Sequence, residues 1–429
     1  MPFERALRAV YSAGMAAAQP LLRRKLRKRG LAEPGYLEAV EERFGRYDRP
    51  VPGPVGPRIW IHAVSLGETR AAAVLVAALR ERLPAMQLLL THGTATGRSE
   101  GRKLLQPGDL QAWLPWDAAG PVQRFLTHFQ PTAGLLMETE VWPNLVAACR
   151  AARVPLVLAN ARLSEKSLRS AERLGGLARS AFAGLSAVWA QSKDDAARFE
   201  KMGASVAGVF GNLKFDMSPN PEQLLAGRRW RRATGRPVLL LASSREGEEA
   251  QWLAAVGASP LEVQWLLVPR HPQRFDEVAK LLRAGGLSVS RRSDWTGLGL
   301  GPDDTPPEAD VWLGDSLGEM AMYYGLADAA LLGGSFADTG GQNLIEAAAC
   351  GCPVVMGPST FNFAEASLLA EAARAAIRVG DMALAVDAGT VLVTDPARLG
   401  ITRGAALAFA ASHRGGAGRT ADALCALLS

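Results

Sequence analysis

The sequence predicts an α/β protein with two doubly wound, Rossmann-like domains. From Arg58 onward, short apolar runs alternate with helix-length segments, which is typical of βαβ units in a parallel sheet. The alternation pauses at residues 216–237, a stretch with prolines, several arginines and no strand-like run, and then resumes. A chain of 429 residues is long enough for two such domains, each with its own core.

The apolar runs that predict strands fall into two groups, one on each side of the pause. They read IWIHA, MQLLLTH, AGLLM, VPLVLAN and SAVWAQS before it, and VLLLASS, VQWLLVPRH, LSVSRRS, DVWLGD, AALLGGS and CPVVMGP after it. Helix-start signals agree with this assignment. Ser192 and Asp195 have the spacing of a capping box, and Pro143 suits a first helical turn.

These patterns predict a division of the chain into five parts. They are an N-terminal segment at 1–30, a first domain at 31–216, a linker at 217–237, a second domain at 238–405 and a C-terminal helix at 406–429. A helix in that last position can pack back on the first domain.

Composition excludes several classes of protein. With 48% hydrophobic and 21% charged residues, the chain is neither a disordered tail nor a coiled coil. Its four cysteines are too scattered for a disulfide framework or a zinc site, which favours a reducing compartment. The net charge is +6, but +5 of it lies in the first 50 residues, so we expect no nucleic-acid partner.

The basic excess follows an apolar stretch at the N-terminus. Residues 9–22 carry no charge, and residues 23–29 include six Lys or Arg. The apolar stretch is shorter than the ~20 residues of a membrane span and contains Pro20. A signal peptide would have its basic residues first. We therefore predict that residues 1–29 bind an anionic membrane surface, the alternative being an amphipathic helix packed on the domain.

Polar side chains follow the predicted strands of the first half, where ligands of parallel sheets bind. Glu68 lies in the first turn of a helix and is a candidate general base, although a helix dipole also favours an acidic residue there. Glu138 and Glu140 directly follow a buried strand, so they cap, pair with a cation or act chemically. Lys214 follows a Gly-Asn turn at the domain boundary, although a solvated lysine is the commoner outcome.

The second half offers groups suited to a phosphate. Arg270 and His271 follow a strand, and a helix predicted to start at residues 316–318 exposes backbone N–H groups. Gly340 and Gly341 precede a helix that is predicted to begin near Asn343. Glu346 in that helix can accept a ribose hydroxyl, or it can serve as a helix cap. Neither GxGxxG nor GxxxxGK[ST] occurs in the sequence where a predicted strand leads into a helix, which argues against a dinucleotide oxidoreductase and a P-loop NTPase.

Taken together, these segments resemble the 3-deoxy-D-manno-octulosonic acid (Kdo) transferases. The stretches that carry the resemblance are HAVSLGE, METEVWPNL, LANARLSEKS, GNLKFD, VPRHPQRF, GDSLGEM and GGQNLIEAAACGCPVVMGPSTFNF. They occur in order from about residue 60 to residue 365, and the N-terminal segment matches as well.

The resemblance implies a GT-B fold, with an acceptor-binding first domain, a CMP-Kdo-binding second domain and chemistry in the cleft between them. It implies that Glu68 is the general base and that Glu138 and Lys214 support the transition state. The residues that it assigns to CMP binding are Arg270, His271, Leu317, Gly318, Glu319, Asn343, Leu344, Ile345 and Glu346.

The expected activity is therefore inverting transfer of Kdo from CMP-Kdo to the lipid A precursor lipid IVA, in lipopolysaccharide biosynthesis. No metal and no cofactor are expected, and the expected location is the cytoplasmic face of the inner membrane, peripheral or anchored. Two alternatives stay open: a GT-B glycosyltransferase that uses a UDP- or GDP-sugar, and a non-catalytic membrane-associated protein that binds nucleotides.

Overall fold

The computed structural model describes residues 2–48, 50–53, 55–257, 263–295 and 307–429. Contacts within the chain divide it into two compact units. The first comprises the chain up to Asp216 together with Gly415–Ser429, and the second comprises Met217–Arg414.

The first unit is a parallel sheet with helices on both faces. Its elements up to Asp216 are α1 (Pro2–Ala17), α2 (Gln19–Ala32), β1 (Arg58–His62), α3 (Leu66–Arg82), β2 (Gln87–His92), α4 (Ala95–Arg102), β3 (Leu110–Trp113), α5 (Ala119–Phe129), β4 (Ala133–Met137), α6 (Pro143–Ala151), β5 (Leu156–Ala161), α7 (Glu165–Arg173), α8 (Gly176–Phe182), β6 (Ala187–Ala190), α9 (Lys193–Lys201) and β7 (Val206–Val209). The strand order is β3-β2-β1-β4-β5-β6-β7. Because both faces are covered, β1 is buried throughout: Trp60 packs into one core, and Ile59 and Ile61 pack into the other.

The second unit repeats this architecture. Its elements are α10 (Pro221–Ala233), β8 (Val238–Ser244), α11 (Glu248–Val256), β9 (Gln264–Pro269), α12 (Phe275–Ala284), β10 (Val289–Arg291), β11 (Val311–Leu313), α13 (Met320–Leu326), β12 (Ala329–Leu332), α14 (Leu344–Ala349), β13 (Val354–Met356), α15 (Ala364–Ala372), β14 (Ala376–Arg378), α16 (Met382–Thr394) and α17 (Pro396–Ser412). The strand order is β10-β11-β9-β8-β12-β13-β14, all parallel. Each apolar run that the sequence predicts to form a strand overlaps a strand of the structure.

The segment at 217–237 differs from the linker that the sequence predicts. Most of it forms α10, which packs along α13 inside the second unit. The two helices approach closely because Gly227 faces the backbone of Met322 and Gly325 faces that of Leu224. Arg231 also donates to the buried carboxylate of Asp328, at 2.6 Å. These contacts make the segment part of the second domain.

The C-terminal boundary lies later than the predicted residue 405. Helix α17 continues to Ser412, and the last helix, α18 (Gly416–Leu428), belongs to the first unit. Its Ala421 and Leu424 lie in the core beside α3. Asp216 fixes the start of α18, because its carboxylate accepts from the backbone N–H groups of Gly415 and Ala417.

The N-terminal helices pack on the first unit through a few side chains. Leu26 is buried against Tyr36 and Phe44, and the Arg23 guanidinium lies 3.8 Å from the Phe44 ring centroid. Arg23 also pairs with Glu41. No helix in the described part of the chain is both long enough and apolar enough to span a bilayer.

Candidate functional site

Glu68 lies in the first turn of α3, directly after β1. Ser65 caps this helix, because its Oγ accepts from the Glu68 N–H at 3.3 Å and donates to Glu68 Oε1 at 3.1 Å. The Val64 N–H donates to Glu68 Oε2 at 2.7 Å. Each carboxylate oxygen thus accepts one hydrogen bond, and a carboxylate has about four acceptor positions, so the group can cap the helix and still accept another proton.

The surroundings of Glu68 favour its neutral form. The pKa of Glu68 is raised to about 7, first by burial and then by the negative charges of Glu138 and Glu140. The hydrogen bonds from Val64 and Ser65 oppose it. A general base works best when its pKa lies near the working pH, so this carboxyl group has the properties that proton abstraction requires.

Glu138 follows β4 and lies close to Lys214. Lys214 Nζ is 3.7 Å from Glu138 Oε1, and both side chains are largely buried. The Glu138 backbone has a φ of 59°, which is rare for a residue with a side chain. It is held in place by Glu138 N–H donating to Ala159 O and Arg162 N–H donating to Glu138 O. A locally fixed, unfavourable backbone conformation is common at functional sites.

Lys214 is positioned by the turn Leu213–Asp216. The Asn160 side chain, on β5, accepts from the Leu213 N–H at 3.0 Å, and Asp216 at the end of the turn holds α18. The turn is therefore anchored at both ends. The first unit brings Glu68, Glu138 and Lys214 into one electrostatic cluster.

The predicted phosphate-binding residues of the second unit begin after β9. His271 Nε2 lies 2.5 Å from Arg245 Nη1. Burial lowers the pKa of His271, and the positive charges of Arg245, Arg270 and Arg274 lower it further. Positive charge therefore collects around His271, although Arg274 is paired with Glu249, and such an environment attracts an anion.

The turn at 317–319 precedes its helix instead of opening it. The sequence predicts a helix start at residues 316–318, but α13 begins at Met320. Gly318 has a φ of 81°, which is not a helical conformation, so the helix can begin only after it. Glu319 is engaged: it accepts from Arg292 at 3.0 Å and from Ser316 Oγ. Leu317 is 70% exposed.

The segment 343–346 forms the first turn of α14. Asn343 caps the helix, because its Oδ1 accepts from the Ile345 N–H at 3.1 Å. Leu344 and Ile345 are each 1% exposed, so neither presents its side chain to a ligand. Asn343 and Glu346 retain partly exposed side chains.

Sequence reasoning missed Arg245, in the loop after β8, and Glu248, the first residue of α11. A signal was present, since a charged run after a buried strand stands at the ligand-binding edge of a parallel sheet. Within the described ranges, no group of three or more His, Cys, Asp or Glu side chains is arranged as metal ligands would be.

Comparison with known proteins points to one family. The family model described as 3-deoxy-D-manno-octulosonic-acid transferase matches residues 38–217. The 3-deoxy-D-manno-octulosonic acid transferase of Bordetella pertussis is 48% identical, over 97% of this chain and 98% of its own. That of Haemophilus influenzae is 33% identical, over 83% and 84%.

Solved structures support the fold. An Anabaena protein in complex with UDP-glucose is 15% identical, with a TM-score of 0.55 over 86% of this chain and 99% of its own. A putative UDP-N-acetylglucosamine 2-epimerase from Listeria monocytogenes is 14% identical, with a TM-score of 0.56 over 87% and 96%. These likenesses confirm the predicted GT-B class, with two parallel-sheet α/β domains.

Proposed function

Because this chain belongs to the 3-deoxy-D-manno-octulosonic acid transferase family, we propose that it transfers Kdo from CMP-Kdo to the lipid A precursor lipid IVA, with inversion at the anomeric carbon. The family makes the protein a glycosyltransferase. The observation that carries the proposal is the cluster of Glu68, Glu138 and Lys214, in which a buried carboxyl group has a pKa near neutrality.

In the proposed reaction, Glu68 removes the proton from an acceptor hydroxyl. The hydroxyl oxygen forms a bond to the anomeric carbon of Kdo while the bond from that carbon to the phosphate oxygen breaks. CMP departs with the electron pair, and the proton remains on Glu68. A single displacement of this kind inverts the anomeric carbon and needs no covalent enzyme intermediate.

Glu138 and Lys214 are proposed to stabilise the charges that develop in the transition state. Positive charge accumulates on the sugar as the donor bond breaks, and a fixed carboxylate nearby stabilises it. The Lys214 ammonium, 3.7 Å from that carboxylate, supplies a cation for developing negative charge. Because the turn that holds Lys214 is anchored at both ends, little reorganisation is needed during the reaction.

The donor is proposed to bind the second unit. Arg270 and His271 suit its phosphate because Arg is a permanent cation and His a hydrogen-bonding group. The turn at 317–319 and the segment 343–346 complete the proposed CMP contacts. Leu344 and Ile345 are buried, so we expect them to support the position of Asn343 and Glu346 and not to contact the donor through their side chains.

The N-terminal helices are proposed to bind the anionic cytoplasmic face of the inner membrane. Arg24, Lys25, Arg27 and Lys28 are exposed on α2, and Leu21 nearby is 69% exposed. Basic and apolar side chains exposed together are what an interfacial helix presents to lipid. The packing of Leu26 on the domain holds these groups in place, so the helix both packs on the protein and presents a basic surface.

The test of the activity is a mass analysis of the lipid product. The full chain is incubated with CMP-Kdo and lipid IVA, beside a Glu68→Gln variant and a control, Glu81→Gln, which removes an exposed carboxylate from the same helix. We expect Kdo-sized mass increments with the native and control proteins and almost none with Glu68→Gln. Transfer from a UDP- or GDP-sugar instead would overturn the donor assignment, and no transfer from any donor would favour a binding protein.

A further inference from the structure

Arg245 stands between the two segments predicted to bind the donor. Arg270 and His271 follow β9, the segment 343–346 follows β12, and β8 lies between these strands in the sheet. Arg245 is the first residue after β8. From β8 the chain continues to β9 on one side, while β12 pairs with it on the other, and ligands of open parallel sheets bind where the connections diverge in this way.

The Arg245 side chain contacts both neighbouring loops. Its Nη1 lies 2.5 Å from His271 Nε2, after β9. On the other side its stem passes over Gly334, after β12: a Cβ added to Gly334 would lie 3.5 Å from Arg245 Cγ and 3.1 Å from Gln342 Nε2. Gly334 has a φ of 73°, so the loop turns sharply beneath the guanidinium.

The charges around Arg245 are not balanced. Arg274 is neutralised by the buried Glu249, whose two oxygens accept from it at 2.8 and 3.0 Å. The Arg245 guanidinium contacts no carboxylate in the part of the chain that the structure describes. The positive charges of Arg270 and Arg274 also lie close enough to lower the pKa of His271, which Arg245 contacts. Cations held this close together repel each other, and a bound anion removes that repulsion.

A buried carboxylate fixes the loop that carries Arg245. Glu248 is 0% exposed and accepts four backbone hydrogen bonds. Its Oε2 accepts from the N–H groups of Arg245 and Gly334, each at 2.8 Å, and its Oε1 from those of Phe336 and Ala337, at 3.0 and 3.1 Å. One carboxylate therefore joins the loops after β8 and β12. Burying a charge is costly, and these four donors compensate for it.

We propose that Arg245 binds the phosphate of the sugar-nucleotide donor and that Glu248 is the positioning residue that holds Arg245 against the loop after β12. This inference rests on the proposed function, since the phosphate is that of CMP-Kdo. Arg245 lies in the loop after β8 and Glu248 opens α11, and the predicted site includes neither residue.

The test for Arg245 compares CMP with cytidine, which lacks the phosphate, by calorimetric titration of the full chain. Loss of a charged hydrogen bond should weaken CMP binding of Arg245→Ala about 10- to 100-fold. Cytidine binding should change by less than about twofold, and Arg245→Lys should recover part of the CMP affinity because it keeps the charge. The matched control is Arg283→Ala, an exposed arginine on α12. If Arg245→Ala keeps the native preference for CMP over cytidine, the assignment is wrong.

The test for Glu248 is a double-mutant cycle. Glu248→Gln should weaken CMP binding more than cytidine binding, and it should add little in the Arg245→Ala background if it acts through Arg245. Glu246→Gln, two residues earlier in the loop after β8 and exposed, is the control and should bind as the native protein does. Equal losses for both ligands, additive with Arg245→Ala, would show that Glu248 serves only the fold.

An assay of Kdo transfer by the native protein distinguishes failure of the proposed function from failure of the Arg245 assignment. If the native protein transfers Kdo while Arg245→Ala retains its preference for CMP, the proposed function stands and the Arg245 assignment fails. If the native protein neither transfers Kdo nor binds CMP, both fail.

Discussion

Lys214 Nζ lies 3.7 Å from Glu138 Oε1, although the two residues are 76 positions apart in the chain. Glu138 follows β4, whereas Lys214 lies in a turn after β7, at the edge of the sheet. The carboxylate of Glu138 in turn raises the pKa of Glu68. The three groups therefore form one electrostatic unit, and a change in any one alters the others.

The first prediction concerns the pH dependence of the transfer rate. Glu68 must be ionised to accept a proton, and its pKa is raised to about 7, so kcat/KM should rise about tenfold per pH unit below pH 7 and level off above it. Glu138→Gln removes a like charge, so the pKa of Glu68 falls and the rising limb should move to lower pH. Initial rates across pH 5 to 9 test this, with Glu81→Gln as the control that leaves the limb in place. An unmoved limb in Glu138→Gln would contradict the coupling.

The second prediction concerns Lys214. Lys214→Met removes the cation but keeps the length of the side chain, so kcat should fall about 100- to 1,000-fold, as losses of transition-state stabilisation do, with a much smaller change in KM. The surface pair Lys201 and Glu172, at 2.8 Å, provides the comparison. Lys201→Met should leave kcat within about twofold, because exposed pairs contribute little. A rise in KM alone would assign Lys214 to substrate binding.

Sequence motifs select the residues of the candidate site, but only part of their mutual geometry follows from the sequence. The loops after β1 and β4 are adjacent in a parallel sheet, so Glu68 and Glu138 could be expected to lie close together. The approach of Lys214 to Glu138 depends on Asn160, a buried residue of β5 with a φ of 50°. The Asn160 side chain holds the turn Leu213–Asp216, which contains Lys214. Such a contact joins distant parts of the chain and leaves no local pattern.

The fold was predictable where strands are buried on both faces. The missed strands β3, β7 and β14 are only three or four residues long and partly exposed, and β7 contains Gly208, so none of them gives the strong signal of a long buried strand. The sequence predicts a linker in place of α10 because this helix buries only Ala226, Gly227 and Trp230, too few for a clear helical periodicity.

The third prediction tests the assignment of α10 to the second domain. A Cβ at Gly227 would collide with the carbonyl oxygen of Met322, so Gly227→Ala should lower the free energy of unfolding by about 1 to 3 kcal/mol. Gly235 has open space around it, and Gly235→Ala should leave stability unchanged or raise it by up to about 1 kcal/mol. Urea denaturation followed by fluorescence measures both.

Gly227→Ala should also affect the turn at 317–319, because α10 reaches it directly. Gln223 Nε2 donates to Gly318 O at 2.9 Å. Displacement of α10 should therefore weaken CMP binding, whereas a true linker would tolerate the substitution with neither effect.

The fourth prediction concerns the basic surface of α2. Replacing Arg24, Lys25, Arg27 and Lys28 by Gln should weaken binding to anionic phospholipid vesicles about 100- to 1,000-fold, since each basic side chain contributes about 1 kcal/mol near such a surface. Arg23 and Leu26 stay, because they hold the helix on the domain. The control replaces Lys166, Arg169, Arg173 and Lys193, four exposed basic residues elsewhere on the first unit, which changes the net charge equally.

Vesicle sedimentation at several salt concentrations distinguishes a specific surface from net charge. Binding through α2 should fall steeply with salt, and only the α2 variant should lose it. Transfer to a short-chain, detergent-dispersed acceptor should be unaffected in both variants, because neither set includes a residue of the proposed site. Equal loss in the two variants would mean that overall charge, and not the surface of α2, governs attraction to the membrane.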